Sequence, residues 1–283
     1  MRFLSNAHTH TSYCDGKNTP REMVQAAREF GFVSLGFSGH GMQGFDTPYA
    51  MEDGRQGEYV AEIRVLQAEI NEQKEFPRIW VGVEQDTLVP KDIKEKNRQD
   101  FDYIIGSTHY LCRDYKGEHV AVDGNLEPLK AYVKDVYAGD MLAMARAYFD
   151  VHVQMLLAER PDIIGHFDLV RKHARMQSLF DEESAAYQKI ALHALEEAFA
   201  CGGVMEVNTG GMQRGFIKNP YPSEALLPAW REMGGDVTIT SDCHDAAFLN
   251  YGLDEALALL KKMGYSSVLR LGQGDSLWER VEC

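Results

Sequence analysis

Seven short apolar runs recur along this chain, and each ends at or beside a histidine or a carboxylate. The runs are FLSNA, SLGFS, IWVGV, YIIGS, DIIG, VMEVN and VTITS, with helix-like segments between them. Strands alternating with helices predict βα units and a parallel sheet. The runs are continuously apolar rather than alternating, as expected of strands covered on both faces. A capping box opens the first helix: Thr19 is the N-cap, Pro20 stands at N1 and Glu22 at N3. Further helices are read in GEYVAEIRVLQAEINEQ, in one long stretch from Glu127 to Glu159, and in ESAAYQKIALHALEEAFA, SEALLPAWREM and DEALALLKKM.

The ends of the runs carry the chemistry. His8 and His10 follow the first run, His40 the second, Glu84 the third, His109 the fourth and His166 the fifth. Glu206 and Asn208 close the sixth, and Asp242 and His244 follow the seventh. In a βα barrel these ends converge on one face, where active sites are built. A single histidine in such a place is more often structural than a ligand, and an HxH pair alone is weak evidence. Six of the ten histidines lie at strand ends, joined by Asp15, Glu84 and Asp242. Burying so many imidazoles and carboxylates without a cation is costly, so the pattern predicts a metal cluster.

Composition narrows the function. The chain has 283 residues, 45% of them hydrophobic and 25% charged, with no linker tract or repeat. One domain spanning residues 1–283 is expected. A net charge of −14 argues against nucleic acid as a partner but leaves room for a small phosphorylated substrate, because bound cations reverse the local field. Cys14, Cys112, Cys201, Cys243 and Cys283 are odd in number and lack CxxC spacing, so reduced thiols are expected. Cys14 and Cys243 read as small spacers beside the candidate ligands. No run reaches membrane length and no signal-peptide core is evident, so a cytoplasmic protein without a membrane partner is expected.

Taken together, HTHTSYCDG, GFSGH, GVE, GSTHYL, IIGHFDL, EVNTGG and TSDCH resemble the polymerase and histidinol phosphatase (PHP) superfamily, in order from His8 to His244. STHYL, the Val122–Asp123 pair and IIGHFDLVRK are similar to its histidinol-phosphatase branch. The resemblance implies a distorted (β/α)7 TIM-like barrel with two or three divalent metal ions (Zn, Fe or Mn) at the C-terminal ends of the strands. By position, His8, His10, Glu84 and Asp242 match the ligands of a first ion. Glu84, His109 and His166 match a second, with Glu84 bridging, and Asp15, His40 and His244 match a third. Arg171 and Arg214 match phosphate-gripping arginines, whereas Lys172 and Arg175 read as solvated charges. Asp168 is expected to steer a histidine ligand or to act as the proton donor. His119, His152, His173 and His193 are given no role.

The implied activity is hydrolysis of L-histidinol phosphate in histidine biosynthesis. Another small phosphorylated metabolite or a nucleotide is the alternative substrate. A metal-dependent amidohydrolase is a weaker reading, because such sites often place a carboxylated lysine at a strand end and no run here ends in lysine. A non-enzymatic binding module with a decayed site is disfavoured by the intact ligand set.

Overall fold

The structure, a computed structural model, describes residues 3–45, 47–73, 76–174 and 179–283, without the side chains of Cys112 and Arg113. The seven runs expected as strands are strands: β1 (Ser5–Asn6), β2 (Ser34–Phe37), β3 (Arg78–Asp86), β4 (Tyr103–Ser107), then, after a hairpin, β7 (Ile163–Ile164), β8 (Val204–Asn208) and β9 (Val237–Thr240). The hairpin is β5 (Tyr110–Tyr115) with β6 (Glu118–Ala121), and β10 (Ser267–Leu271) and β11 (Trp278–Glu282) end the chain. A nine-stranded sheet runs β1-β2-β3-β4-β7-β8-β9-β10-β11. Its pairs are parallel until β11, which turns back antiparallel on β10. Beyond the strand ends, Thr9 forms a single parallel bridge with Cys243, drawing the C-terminal ends of β1 and β9 together.

Helices α1 (Pro20–Phe30), α2 (Arg55–Glu72), α3 (Lys91–Asp100), α4 (Leu126–Val136), α5 (Met141–Glu159), α6 (Ala185–Ala198), α7 (Gly210–Gln213), α8 (Leu227–Glu232) and α9 (Leu253–Lys262) connect the strands. The capping box of α1 is complete: Thr19 Oγ1 accepts from the Glu22 N–H, and Glu22 accepts from the Thr19 N–H at 2.8 Å. The long helix expected from Glu127 to Glu159 is two helices. Ala138 and Gly139 both take positive φ, and Asp140 then caps α5 through the Leu142 and Ala143 N–H groups. α8 is shorter than expected, and Pro228 stands in its first turn, where a missing N–H costs nothing.

Inside the curl of the sheet, a small apolar cluster forms the floor beneath the strand ends: Ala7, Trp80, Tyr103, Ile105, Ile163 and Leu271. Tyr103 spans it, donating its hydroxyl to the Ala7 carbonyl at 2.6 Å. Gly82 and Gly36 make room for that ring. A Cβ on Gly82 would lie 2.4 Å from Tyr103 Cζ, and one on Gly36 would lie 2.2 Å from the hydroxyl. The larger core packs between the outer face of the sheet and the helices. Among the described residues, no helix is long and apolar enough to cross a membrane.

Candidate metal centre

All nine residues expected as ligands meet above this floor. Glu84, at the end of β3, is their centre and is 1% exposed. Its Oε2 lies 2.7 Å from His40 Nδ1, 3.3 Å from His8 Nε2 and 3.8 Å from His10 Nε2. Its Oε1 lies 2.9 Å from His166 Nε2 and 3.6 Å from His109 Nε2, and accepts from Ser107 Oγ at 2.7 Å. Asp242 Oδ1 is 3.1 Å from His10 Nε2 and 3.7 Å from His8 Nε2. Asp15 and His244 make the open rim, with 3.3 Å between Asp15 Oδ2 and His244 Nε2.

Three sets of side chains each offer ligand atoms within 4.8 Å of one another: His8, His10 and Glu84; His40, Glu84 and His109; and His10, Asp15, His40 and His244. His10 and His40 thus stand between groups, so the three sets overlap more than the resemblance implies, and His166 and Asp242 belong to none of them.

The donor atoms fit cations. His8 Nε2, His10 Nε2, His40 Nδ1 and Glu84 Oε2 are buried and make no hydrogen bond, although they lie within contact range of one another. Orphaned buried polar atoms cost about 1–3 kcal/mol each. Four converging on one place mark lone pairs aimed at a shared electrophile. A mixed imidazole and carboxylate set suits Zn²⁺, Fe²⁺ or Mn²⁺.

The electrostatics set protons in competition with those cations. Burial opposes ionisation of Glu84, but His40, His8, His109 and the His166 contact hold its carboxyl well below the usual range. Burial likewise opposes a charge on His8, yet Glu206, Glu84 and Asp242 push its pKa up to about 10. Asp242 carries a left-handed backbone at φ 47°, a strained conformation that an aspartate tolerates better than most residues. Arg214 grips that carboxylate at 2.9 Å.

Two carboxylates that orient this cluster were not assigned from sequence. Asp86 Oδ2 accepts from both the backbone N–H and the Nδ1–H of His109, at 2.8 and 2.9 Å. Glu206 accepts from His8 Nδ1 at 2.9 Å, from the His166 N–H at 2.5 Å, and from Asn208 and Thr240. Each fixes a ring so that Nε2 faces the cluster, as carboxylate partners of metal-binding histidines do. The spacing Glu84-x-Asp86 was the available signal, because residues two apart on a strand share a face.

Above the cluster opens a cleft of about 920 Å³. Phe45, Tyr49, Tyr110 and His119 line it from the loop after β2 and the β5–β6 hairpin. His119, given no role from sequence, packs against Phe45 with ring centroids 3.9 Å apart and the planes tilted by 51°. Lys172, Arg214, Phe216 and Tyr221 line it from the segments after β7 and β8. Lys172 is therefore not a solvated charge: it pairs with Asp123 at 3.1 Å and lies over the Phe216 ring. Arg175 falls outside the described residues.

Arg171 and Asp168 are not brought to the cleft. Arg171 is 4% exposed and donates to Asp168, Glu182 and the Pro220 carbonyl. Asp168 Oδ2 accepts from Arg171 and from the Ser223 N–H and reaches no histidine ligand by hydrogen bond. Cys243 is buried, and Cys14 is half-buried with Sγ 3.6 Å from His10 Nδ1; neither belongs to the three ligand sets.

Known proteins resemble this chain in sequence and fold. A protein of Deinococcus radiodurans named "Probable histidinol-phosphatase" is 27% identical over 95% of this chain and 96% of its own. A crystal structure from Listeria monocytogenes matches with a TM-score of 0.71 at 20% identity, over 88% of this chain and 98% of that one. Histidinol phosphate phosphatase from Lactococcus lactis, solved with zinc, L-histidinol and phosphate, matches with a TM-score of 0.64 at 21% identity, over 95% and 96%. The PHP domain matches residues 6–210, more than half of the sequence, and the chain belongs to that family.

Proposed function

We propose that this protein is a metal-dependent phosphoric monoester hydrolase acting on L-histidinol phosphate, in the cytoplasm, with its curled sheet serving as a distorted (β/α)7 barrel in a single domain. The observation that carries this reading is the convergence of orphaned imidazole and carboxylate lone pairs beneath a cleft that also presents cations. The relatives named histidinol-phosphatase, and the zinc, L-histidinol and phosphate held by the Lactococcus protein, support the choice of substrate.

In this reading His8, His10, Glu84 and Asp242 hold one ion, Glu84, His109 and His166 a second, and Asp15, His40 and His244 a third. When bound, such ions lower the pKa of water and neutralise charge on a phosphoryl group in transfer. Arg214, with its guanidinium at the cluster, and Lys172 supply fixed positive charge to the phosphate. Phe45, Tyr110 and His119 offer ring faces to the alcohol half, which for histidinol carries an imidazole.

Phosphate release from L-histidinol phosphate, measured beside a panel of other monoesters at full metal loading, tests the proposal. Turnover of the histidinol ester well above the rest is expected. Selective turnover of another monoester would keep the hydrolase class and overturn the substrate.

A further inference from the structure

With Asp168 turned away from the cleft, the proton that an alkoxide leaving group requires has no assigned source. We propose that Tyr221 is a further catalytic residue, whose phenolic hydroxyl meets the ester oxygen of the substrate and protonates it as the phosphorus–oxygen bond breaks. The inference rests on the phosphomonoesterase reading above.

Tyr221 lines the cleft yet is only 2% exposed, and its hydroxyl has no hydrogen-bond partner. A buried hydroxyl is normally paired, so an unpaired one on a residue that lines the cleft points to a partner that arrives with the substrate. The side chain is held where it stands. Its backbone is bridged to Asn208 by two hydrogen bonds of 2.7 and 3.0 Å. Its ring packs against Gly211, where an added Cβ would come within 2.8 Å of Tyr221 Cε2. The Arg171 guanidinium lies 5.7 Å from the ring centroid, and the His166 ring lies 6.3 Å away. Arg171 thus packs beside the Tyr221 ring even though it does not reach the cleft.

The charged groups that act on the hydroxyl are Arg171 and Asp168, outside the cleft lining, and Asp123 and Arg214, within it. Burial pushes its pKa upward from the ordinary phenol value, so it carries its proton at neutral pH. The proton account closes: the attacking water loses one proton, the departing alkoxide gains one from Tyr221, and the phenolate recovers one from solvent. Tyr49 also lines the cleft and its hydroxyl likewise makes no hydrogen bond, so Tyr49→Phe assayed on the two esters described next is the control: the leaving-group-dependent loss is expected at Tyr221 and not at Tyr49.

Tyr221→Phe, assayed with L-histidinol phosphate and with p-nitrophenyl phosphate, separates this role from a structural one, because nitrophenolate departs without a proton. Expected for the histidinol ester is a fall in kcat of roughly 100-fold, the low end for general acid catalysis, with KM nearly unchanged. Turnover of p-nitrophenyl phosphate should stay near the wild-type level. The melting temperature should hold or rise, since the lost hydroxyl bonds nothing. Equal losses on both esters, or no loss on either, would overturn the assignment. A metal-loaded wild type inert to both esters would instead overturn the phosphatase reading on which it rests.

Discussion

Glu84 touches more of the cluster than any other side chain, with contacts to His8, His10, His40, His109 and His166. Replacing it with glutamine keeps the volume and removes the charge that draws cations together. Glu84→Gln should retain a native melting profile without added metal, lose most of its bound metal by elemental analysis, and lose turnover; near-native turnover with full metal content would refute the bridging role. The two arginines should separate in the opposite sense. Arg214 sits at the cluster, so Arg214→Ala should weaken phosphate capture by roughly 1.5–3 kcal/mol, read as a raised KM. Arg171→Ala would strip the fully buried Asp168 of its ionic partner and should destabilise the fold by about 3–5 kcal/mol in urea titrations. From sequence the two looked alike, because both follow a strand; only packing reveals that one of them faces inward.

At the scale of elements, the strand ends were legible because continuous apolar runs break at chemistry-bearing residues. β10 and β11 were not read, since SVLRL and WERVE end in no ligand and WERVE is mostly polar. The β5–β6 hairpin is hidden for a related reason: YLCRDY and EHVA mix apolar with charged residues and lie outside the main sheet, yet they supply a wall of the cleft. Asp86 and Glu206 went unassigned because orienting a ligand leaves no spacing as plain as HxH. β3 also joins floor to site. Gly82 lies under the Tyr103 ring and Glu84, two residues on, faces the cluster. Gly82→Ala must displace that ring, and overpacking of this kind typically costs about 1–3 kcal/mol. A lowered denaturation midpoint with an unchanged slope is expected, together with weaker metal retention as the Glu84 backbone shifts. Unchanged stability would mean that the floor is softer than its contacts indicate.

For the molecule as a whole, the cluster binds together residues from His8 to His244, drawn from the ends of β1, β2, β3, β4, β7 and β9. A cation held there bonds the folded chain and not the unfolded one, so its binding energy is also folding energy. At about 100 times its dissociation constant, one ion adds about 2.7 kcal/mol. For a domain of this size that corresponds to roughly 4–5 °C in melting temperature. Removing metal by dialysis against EDTA should lower the melting temperature by at least that much, and Zn²⁺ or Mn²⁺ should restore it. Protons oppose the same gain. Burial disfavours a charge on His8 and His109, but their carboxylate neighbours push the pKa values up to about 10 and about 9, so at neutral pH a cation must displace protons there. The sign follows: cation affinity falls as pH drops, and the gap in melting temperature between loaded and stripped protein should narrow from pH 8 to pH 6. Scanning calorimetry of both forms across that range measures it. A gap that stays constant or widens towards low pH would mean that His8 and His109 do not exchange protons for cations.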